Sequence, residues 1–473
     1  MSKKLQSWII LVTLSCSVLF LSSLASADES DRWSVRMAES VISCGTYQSA
    51  YEYVSATAMK GFRQLWQTTG DDQYFQYIQG AVENDLSMFN SINNLQGSNY
   101  IDPVNGGSLI LMMYTQTNED KYKAAADSTL KFLMSFDRST EGGFFHKRDP
   151  RMQIDDLYME GEFLAEYAQV FERIGELDEA LRQTGLMEKY MRDPDTGLWA
   201  HAWFEQAADP FPAGPTPFFW GRGMGWAAMA VVDMLDWWHA EHTGRDSLIS
   251  IFQRYAQAIA NVQDSTTGVW WQVLDQPGRE GNFPESSGSC MFVYALAKGV
   301  RLGYIDSSYW DIVEKGYQGI LDQFIQENAD GTLTITNVCP GQAPGETYSR
   351  YVRTPYENGH ALGPFIMASL EIELKNTAVH NSHRGIPEMF GLCNYHNPFN
   401  TRTKIVYSLP KREKAKITVY NTSGQKVETL LDQVKPAGTH TVTFDAIKLN
   451  SGVYTYRLST NSDIVTQRMV YVK

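Results

Sequence analysis

The chain has 473 residues, of which 54 are acidic and 40 are basic, and its formal net charge is −14. This excess of acid argues against binding to nucleic acid or to an anionic membrane surface, because both would repel the protein at long range. The length allows two or three domains and a large core.

Residues 1–27 have the pattern of a secretory signal peptide. Two lysines precede an apolar run at residues 8–24, and the small residues Ala25, Ser26 and Ala27 follow it as a cleavage site. The run is short for a membrane span, and no second apolar run accompanies it. We therefore predict export, removal of residues 1–27 and no membrane span.

Five short turns divide residues 33–374 into helix pairs. Each turn contains a Gly or Asn suited to the left-handed end of one helix, and an Asp two or three residues later that can cap the next helix. These Gly and Asn residues lie at positions 70, 118, 175, 244 and 303. Apolar residues recur at helical spacing on both sides of each turn. The pattern predicts about eleven or twelve helices in consecutive antiparallel pairs, without alternating strands.

Tight turns at one end of every pair force the longer connections to the other end. These connections span about residues 90–104, 137–156, 193–221, 264–286 and 327–358, and they hold many of the His, Trp, Lys and Asp residues that could do chemistry. Helix pairs in a ring, with all long loops on one rim, form an α/α toroid whose cleft lies on that rim. An open α-solenoid that binds a partner is the alternative.

From residue 403 onward the apolar pattern changes from helical to alternating, which indicates short strands separated by Gly-containing turns. The strands are predicted around Ile405, Tyr407 and Leu409; Ile417, Val419 and Tyr420; His440 to Phe444; Val453, Tyr454, Tyr456 and Leu458; and Gln467 to Val472. We predict a helical domain at residues 28–376, a linker at 377–393 and a small β-sandwich at 394–473 without a catalytic cluster.

This tail resembles the C-terminal sorting domain of the type IX secretion system. The resemblance lies in Asn394-Tyr395-His396-Asn397-Pro398-Phe399-Asn400, in Tyr407-Ser408-Leu409-Pro410, in the stretch from Val419 to Val427, in Ala437-Gly438-Thr439-His440, and in Leu449 to Tyr454. His396 stands where the family usually has Pro. The resemblance implies passage across the outer membrane to the cell surface or the medium, with the secretion machinery as a partner.

Four cysteines follow the predicted signal peptide, and they are Cys44, Cys290, Cys339 and Cys393. None of their spacings is typical of a metal site, and four thiols in a chain of this length are no disulfide framework. We expect buried free thiols, although an exported protein permits disulfides.

Four segments on the predicted rim carry the candidate chemistry, and they contain Lys147, Asp155, His201 and Arg222. Asp155 and Asp156 stand where a long loop enters a helix, a position that helix capping alone also favours. Arg222 follows Trp220 within Trp220-Gly221-Arg222-Gly223-Met224-Gly225-Trp226. Glycines at a helix start let a ligand approach the backbone, and arginine binds a carboxylate through two parallel hydrogen bonds. Pairing of Arg222 with an internal acid is the structural alternative, and His201, between Trp199 and Trp203, could simply be a packed residue.

Residues 33–373 resemble glycoside hydrolase family 105, the unsaturated rhamnogalacturonyl hydrolases, and more distantly the unsaturated glucuronyl hydrolases. The matching segments, in order, are Trp33 to Ser40, Asp102 to Gly107, His146-Lys147, Asp155 to Met159, Gly197 to His201, Trp220 to Trp226, Val269 to Asp275 and Glu285 to Phe292. The resemblance implies an all-α (α/α)6 barrel, which agrees with the helix pairs predicted from the turns.

The resemblance also implies the reaction and its residues. The substrate would carry a terminal uronic acid with a C4=C5 double bond, which the enzyme hydrates. Asp155 falls on the family's acid/base residue, and Asp102 would bind the ring hydroxyls and assist. The residues expected to line the subsite are Tyr53, Lys147, Met159, His201, Trp220, Arg222 and Trp226. No metal or other cofactor is expected, and exchange of Asp156 by Asn should matter far less than exchange of Asp155.

Two departures from the family pattern bear on the substrate. Gln153 stands where an aromatic residue is common, and Met224 stands where Asn is common. Unsaturated glucuronyl ends, as in ulvan or glycosaminoglycan fragments, are the main rival to rhamnogalacturonan fragments. A conventional inverting glycosidase would need a second essential carboxylate, for which Asp102 is the candidate. A surface protein that binds glycans without catalysis would keep the aromatic residues but tolerate loss of Asp155.

Overall fold

The computed structural model describes residues 32–471, apart from 96–97, 148, 239–241, 346, 358, 384–390, 396–398, 400, 410, 437 and 461–463. The predicted signal peptide at residues 1–27 lies outside the described residues. No helix in the described part of the chain is long and apolar enough to cross a membrane.

Twelve helices of 11 residues or more lie in these ranges. They are α1 (Trp33–Cys44), α2 (Tyr53–Thr69), α3 (Asp72–Phe89), α4 (Gly107–Thr117), α5 (Asp120–Met134), α6 (Asp156–Val170), α7 (Ile174–Met191), α8 (Gly221–Met234), α9 (Thr243–Asn261), α10 (Ser286–Arg301), α11 (Tyr309–Phe324) and α12 (Leu362–His383). A short helical turn follows α3 at Ile92–Leu95, and 3₁₀ turns include Asp102–Gly106 and Gly359–Ala361.

Six helices form a closed inner ring, in the order α2, α4, α6, α8, α10 and α12, with each packed on the next. Helices α3, α5, α7, α9 and α11 pack outside as the second members of five pairs. The sixth pair joins the two ends of the domain, because α1 packs against α12. Ser34 closes it by donating from its backbone N and its Oγ to the carboxylate of Glu373, at 3.0 and 2.6 Å. The predicted (α/α)6 barrel is therefore confirmed, and the open solenoid is excluded.

The predicted turns are right in three cases and wrong in two. Gly70, Asn118 and Gly303 adopt left-handed backbone angles, as predicted. Gly175 and Gly244 instead lie inside the first turn of α7 and α9. The left-handed residue before α7 is Glu172.

The long connections lie where the sequence predicted them, but they contain short strands that it did not predict. Strands β1 (Arg151–Gln153), β2 (Ala202–Phe204) and β3 (Gly214–Pro215) form one antiparallel sheet, and β4 (Ile325–Glu327) pairs with β5 (Leu333–Ile335). The β1 strand places its last residue two positions before Asp155, and β2 begins directly after His201. The small sheet therefore brings two candidate residues from separate loops together.

The tail forms two sheets around one apolar core. Strands β6 (Gly391–Tyr395), β7 (Arg402–Leu409) and β10 (Gly438–Asp445) make a three-stranded sheet, in the order β10-β7-β6. Strands β8 (Glu413–Tyr420), β9 (Lys426–Lys435), β11 (Gly452–Ser459) and β12 (Ile464–Tyr471) make the second sheet, in the order β12-β11-β8-β9. Ile405 and Phe444 of the first sheet are fully buried with Ile417 and Leu458 of the second.

The helical segment extends beyond its expected end, because α12 continues to His383 inside the expected linker. Among the described cysteine side chains, Cys290 and Cys339 are buried free thiols and Cys44 is an exposed one. The expectation of buried thiols is thus right for two and wrong for Cys44.

Candidate active site

Asp155 lies at the mouth of the barrel, where the loop after β1 enters α6. Its side chain makes no capping hydrogen bond to the helix, so capping does not explain the carboxyl group here. Oδ2 accepts a hydrogen bond from Nε2 of Gln153 at 2.8 Å, whereas the buried Oδ1 has no partner. Burial, and then the neighbouring Asp156 carboxylate, raise the pKa of Asp155 to about 6. Asp155 can therefore both give and take a proton near neutral pH.

His201 stands beside this free oxygen. Its Nε2 lies 3.8 Å from Oδ1 of Asp155, and its Nδ1 lies 3.1 Å from the hydroxyl of Tyr351. The ring is completely buried, and burial lowers its pKa well below the usual range. His201 is therefore a neutral imidazole at neutral pH. Its backbone carbonyl accepts from the N–H of Ile154 at 3.0 Å, which fixes its loop beside Asp155.

Asp102 is the second carboxyl group of the site, and it opens the 3₁₀ turn Asp102–Gly106. Burial raises its pKa to about 7. His146 acts in the opposite direction, while Asp156 and Asp155 raise the pKa further. At mildly acidic pH Asp102 is therefore mainly a hydrogen-bond donor.

His146 and Asp156 form a buried pair beside both carboxyl groups. Nδ1 of His146 lies 2.6 Å from Oδ1 of Asp156. Asp102, His146 and Asp156 could each offer one atom to a metal ion, and these three atoms lie within 4.8 Å of one another. Two nitrogen or oxygen ligands on a tetrahedral zinc ion are about 3.3 Å apart, because each metal bond is about 2.0 to 2.1 Å long. At 2.6 Å, Nδ1 of His146 and Oδ1 of Asp156 are too close to ligate one such ion together, and they are hydrogen-bonded to each other.

Aromatic rings form the wall between the inner helices. Trp226 on α8 stacks on Tyr158 with ring centroids 4.8 Å apart, and its edge meets Tyr53 on α2 at 6.3 Å. The hydroxyl of Tyr53 lies 2.6 Å from Nε2 of His360, and Tyr356 contacts the other ring nitrogen of His360. Burial keeps the pKa of His360 well below its usual range, so the two tyrosines flank a neutral ring.

Arg222 is buried at the start of α8, with 1% of its surface exposed. Its guanidinium donates to the carbonyl oxygens of Cys339 and Pro340 and stacks on the ring of Trp220 at 4.7 Å. Nε has no partner. The internal acid that the sequence left as an alternative is not a direct partner, because no carboxylate of the described residues lies within ion-pair distance of Arg222.

The glycines around Arg222 serve the protein's own packing, contrary to the prediction that they admit a ligand. A Cβ added to Gly221 would lie 2.9 Å from the carbonyl oxygen of Trp271, and one added to Gly223 would lie 2.8 Å from the ring of Trp220. At Gly225 the added atom would meet Met291 at 2.7 Å. These glycines let α8 approach its neighbours, which is what buries Arg222.

The remaining predicted residues lie around this cluster. Lys147 places Nζ 4.3 Å from the ring centre of Tyr100, which in turn packs against His146 at 5.3 Å. Trp220 packs against His201 with centroids 4.5 Å apart. Met159 lies one turn after Asp155 on α6 and is 2% exposed.

Four residues in contact with the site were not among the predicted site residues. Tyr351, in the last long connection, contacts His201, and His360, in the 3₁₀ turn that follows, contacts Tyr53. Gln153 contacts the carboxyl group of Asp155, and the His146 imidazole contacts that of Asp156. His146 and Gln153 lie within or beside matched segments, so their proximity was available from the sequence. The other two had no such signal.

A closed ring of six helix pairs, with Asp155 and Asp102 beside aromatic rings, is the arrangement expected of a glycoside hydrolase of the (α/α)6 type. The family model for Glycosyl Hydrolase Family 88 matches residues 26–375, and that for the secretion system C-terminal sorting domain matches residues 394–473. The chain belongs to glycosyl hydrolase family 88 and carries a C-terminal sorting domain, and its solved structural neighbours include family 105 enzymes.

Known proteins support this assignment. A solved family 105 glycoside hydrolase from C. acetobutylicum is 32% identical, with a TM-score of 0.69 and coverage of 73% of this chain and 100% of that chain. The unsaturated rhamnogalacturonyl hydrolase YesR of Bacillus subtilis is 25% identical over 65% of this chain and 85% of its own length. The unsaturated glucuronyl hydrolase of Bacillus sp. GL1 is 14% identical, covers 69% of this chain and 86% of that chain, and shares the fold with a TM-score of 0.54. The protein is a hydrolase of the family to which unsaturated rhamnogalacturonyl and glucuronyl hydrolases belong, and its sorting domain indicates secretion by the type IX machinery to the cell surface or beyond.

Proposed function

We propose that this enzyme removes the terminal 4,5-unsaturated uronic acid from rhamnogalacturonan fragments that a polysaccharide lyase has released. The observation that carries the proposal is the carboxyl group of Asp155, which is largely buried, has a pKa of about 6 and keeps Oδ1 unpartnered. The named activity of the Bacillus subtilis relative supports rhamnogalacturonan as the source of the fragment.

Asp155 acts first as the general acid and then as the general base. Its proton moves to C4, the electron pair of the double bond forms the new C–H bond, and the ring oxygen shares the positive charge left at C5. The Asp155 carboxylate next takes a proton from a water molecule whose oxygen bonds to C5. The hemiketal then opens between C5 and the ring oxygen, and the aglycone leaves from C1 with a proton. One acid/base residue suffices because the double bond supplies the electrons.

Asp102 assists by holding the sugar ring. Its pKa of about 7 keeps it mainly protonated at the pH where Asp155 is half ionised. A protonated Asp102 can donate to a ring hydroxyl, and it adds no second negative charge beside the substrate's own carboxylate. In a conventional inverting glycosidase, Asp102 would instead have to be an ionised base.

The subsite is lined by aromatic rings and by cations. Trp226, Trp220 and Met159 are buried and form the wall behind the sugar, and the half-buried Tyr53 offers a hydroxyl group. Lys147 lies at the partly exposed edge, where its charge can attract an acidic oligosaccharide. His201, being neutral, can hydrogen-bond the substrate or the water without competing for the proton of Asp155.

Arg222 binds the uronate carboxylate in this proposal. Its three bonds, to Oγ of Ser287 and to the carbonyls of Cys339 and Pro340, leave two of the five N–H groups unused, one of them on Nε. Because the protein is acidic overall, recognition of an anionic sugar has to come from such a short, desolvated contact.

A second substrate class has a specific observation in its favour. An unsaturated 3S-rhamnoglycuronyl hydrolase of Alteromonas is 32% identical over 22% of this chain and 25% of its own length. Incubation with lyase digests of pectin, ulvan and chondroitin distinguishes the classes, since hydration abolishes the absorbance of the double bond near ~235 nm. Loss of absorbance on the pectin digest alone supports the proposal, loss on ulvan or chondroitin alone supports the glucuronyl alternative, and binding without any loss would mean that the protein is a glycan-binding protein.

Residues 394–473 serve export and take no part in catalysis in this proposal. The proposed catalytic residues and the residues that line the subsite lie between Tyr53 and His360. The tail has its own apolar core. The signal peptide at residues 1–27 would supply passage across the inner membrane before the tail engages the type IX machinery.

A further inference from the structure

The pair of His146 and Asp156 has no place in the reaction as described, yet it is buried directly behind the two reacting carboxyl groups. His146 is 6% exposed and Asp156 is 1% exposed. Their hydrogen bond joins the rim loop that carries His146 to the first turn of α6, which carries Asp156. A second bond, from the backbone N–H of His146 to the carbonyl of Arg151 at 2.9 Å, holds the same loop to β1. Asp156 immediately follows Asp155, so the first of these bonds anchors the backbone that carries the acid/base residue.

The pair is also electrostatically coupled to both carboxyl groups. Burial alone would lower the pKa of His146, but Asp156, Asp155 and Asp102 together raise it above the usual value. The interaction is reciprocal, since His146 lowers the pKa of Asp102 and of Asp155 while Asp156 raises both. The charge on this pair therefore bears on where the two carboxyl groups titrate.

Other charged and titratable groups around the pair come from every neighbouring element. The groups around the pair are Tyr100 before the 3₁₀ turn, Asp102 in it, Arg151 in β1, Asp155 and Glu160 at the start of α6, His201 before β2 and Arg222 on α8. Further out, Glu52 acts on Asp102, and Glu179 and Arg138 act on Glu160. Burial raises the pKa of Glu160 well above its usual range, and His201 is neutral. Lys147 lies over the ring of Tyr100, so among the described residues His146 is the titratable cation that is hydrogen-bonded to this carboxyl cluster.

We propose that His146 and Asp156 are a positioning pair, which orients Asp155 and sets the pH range in which Asp155 and Asp102 carry the protons that the reaction needs. The pair acts through these two residues and not on the substrate. The proposal rests on the proposed function of Asp155, but its geometry and its coupling can be measured without any substrate.

The pH dependence of kcat/KM for two variants tests the pair. His146→Gln removes the cation and leaves Asp156 as an unopposed anion, so the fall in activity at alkaline pH should move upward by about one pH unit. His146→Gln combined with Asp156→Asn leaves a neutral pair, and most of this shift should disappear. Asp156→Asn alone is less diagnostic, because Asp156 raises the pKa of His146. Without that carboxylate His146 also loses its proton, so the anion and the cation disappear together.

A structural role without electrostatic coupling predicts a different pattern. The double variant would then be at least as impaired as the single one, and neither pH profile would move. An unmoved alkaline limb in a folded, active His146→Gln protein, or a double variant shifted as far as the single one, would overturn the proposal. Circular dichroism and thermal melting check that the variants are folded.

A nuclear magnetic resonance titration of the whole protein keeps the test independent of activity. With carbon-labelled histidine, His146 should titrate above the ordinary value of about 6.5, and Asp102→Asn should lower its pKa because one carboxylate is lost. A His146 that titrates below about 6.5, or that does not respond to Asp102→Asn, would contradict the coupling. If no lyase digest is hydrolysed, the proposed function fails while this titration still decides the pairing.

Discussion

Oδ1 of Asp155 lies 3.8 Å from Nε2 of His201, and neither atom has a hydrogen-bond partner among the described residues. The distance is too long for a direct hydrogen bond, but one water molecule could donate to or accept from each atom and so bridge them. Because Oδ2 of Asp155 accepts from Gln153, the proton of the carboxyl group belongs on Oδ1. In the proposed reaction these two atoms would contact the substrate and the attacking water.

Asp155→Asn should fold normally, bind the substrate and lose turnover by a factor of about 10³. The amide keeps the shape of the carboxyl group but cannot give a proton to C4. Asp195→Asn is a matched control, because Asp195 is an exposed carboxylate on another rim loop. Steady-state kinetics and substrate binding to both variants give the comparison. Activity of Asp155→Asn within tenfold of the wild type would rule out its role as the acid.

Arg222→Lys should raise KM by one or two orders of magnitude, which corresponds to about 1.5 to 3 kcal/mol for a charge-assisted pair. A lysine ammonium lacks the planar fork of the guanidinium, so it cannot hold the carbonyl groups of Cys339 and Pro340 and also bind a carboxylate through two parallel hydrogen bonds. The exposed Arg254, which pairs with Glu188 on the outer helices, provides the control substitution to Lys.

A substrate with an esterified uronate separates the two roles of Arg222. Binding of the carboxylate predicts that the loss caused by Arg222→Lys shrinks sharply on the ester. An equal loss on both substrates would mean that Arg222 only holds the loop at residues 339–340 in place.

A shortened protein of residues 28–385 should keep its kcat and its helical circular dichroism. Helix α12 ends at His383, and its pairing with α1 through Ser34 and Glu373 closes the ring before the cut. The tail has a separate core, so its removal exposes little of the barrel. A shortened protein that is insoluble or inactive, while the full chain works, would show that the tail supports the catalytic domain.

Exhaustive chelation should leave the activity unchanged. Protonation of an enol ether needs no Lewis acid, and the closest group of potential ligands among the described residues contains the hydrogen-bonded pair of His146 and Asp156. Activity is compared before and after treatment with a strong chelator. Loss of activity that one particular ion restores would show that a metal is required.

The helices and the rim loops were predictable because their signals are local. Helical spacing of apolar residues and left-handed positions such as Gly70 act within one or two turns of the chain. Gly175 and Gly244 misled the prediction because glycine is also tolerated in the first turn of a helix. Strand β9 was missed because it is largely exposed, so its sequence lacks a clear alternation of apolar and polar residues.

The partners of the site residues were not predictable, because they come from distant parts of the chain. His201 and Tyr351 are 150 positions apart, and Tyr53 and His360 are 307 positions apart. The same holds for the carbonyl groups that hold Arg222, which lie 117 and 118 positions away. Only the closure of the ring brings such residues together, and the sequence alone does not determine which loop residue meets which helix residue.

The order of two events during turnover tests hydration of the double bond most directly. Absorbance near ~235 nm and release of the aglycone are followed together on a purified unsaturated disaccharide, with Asp155→Asn as the control. Hydration predicts that absorbance falls before the aglycone appears or together with it, and that Asp155→Asn shows neither change. Release of the aglycone while the absorbance persists would mean that the glycosidic bond is cleaved directly, and would contradict the proposed reaction.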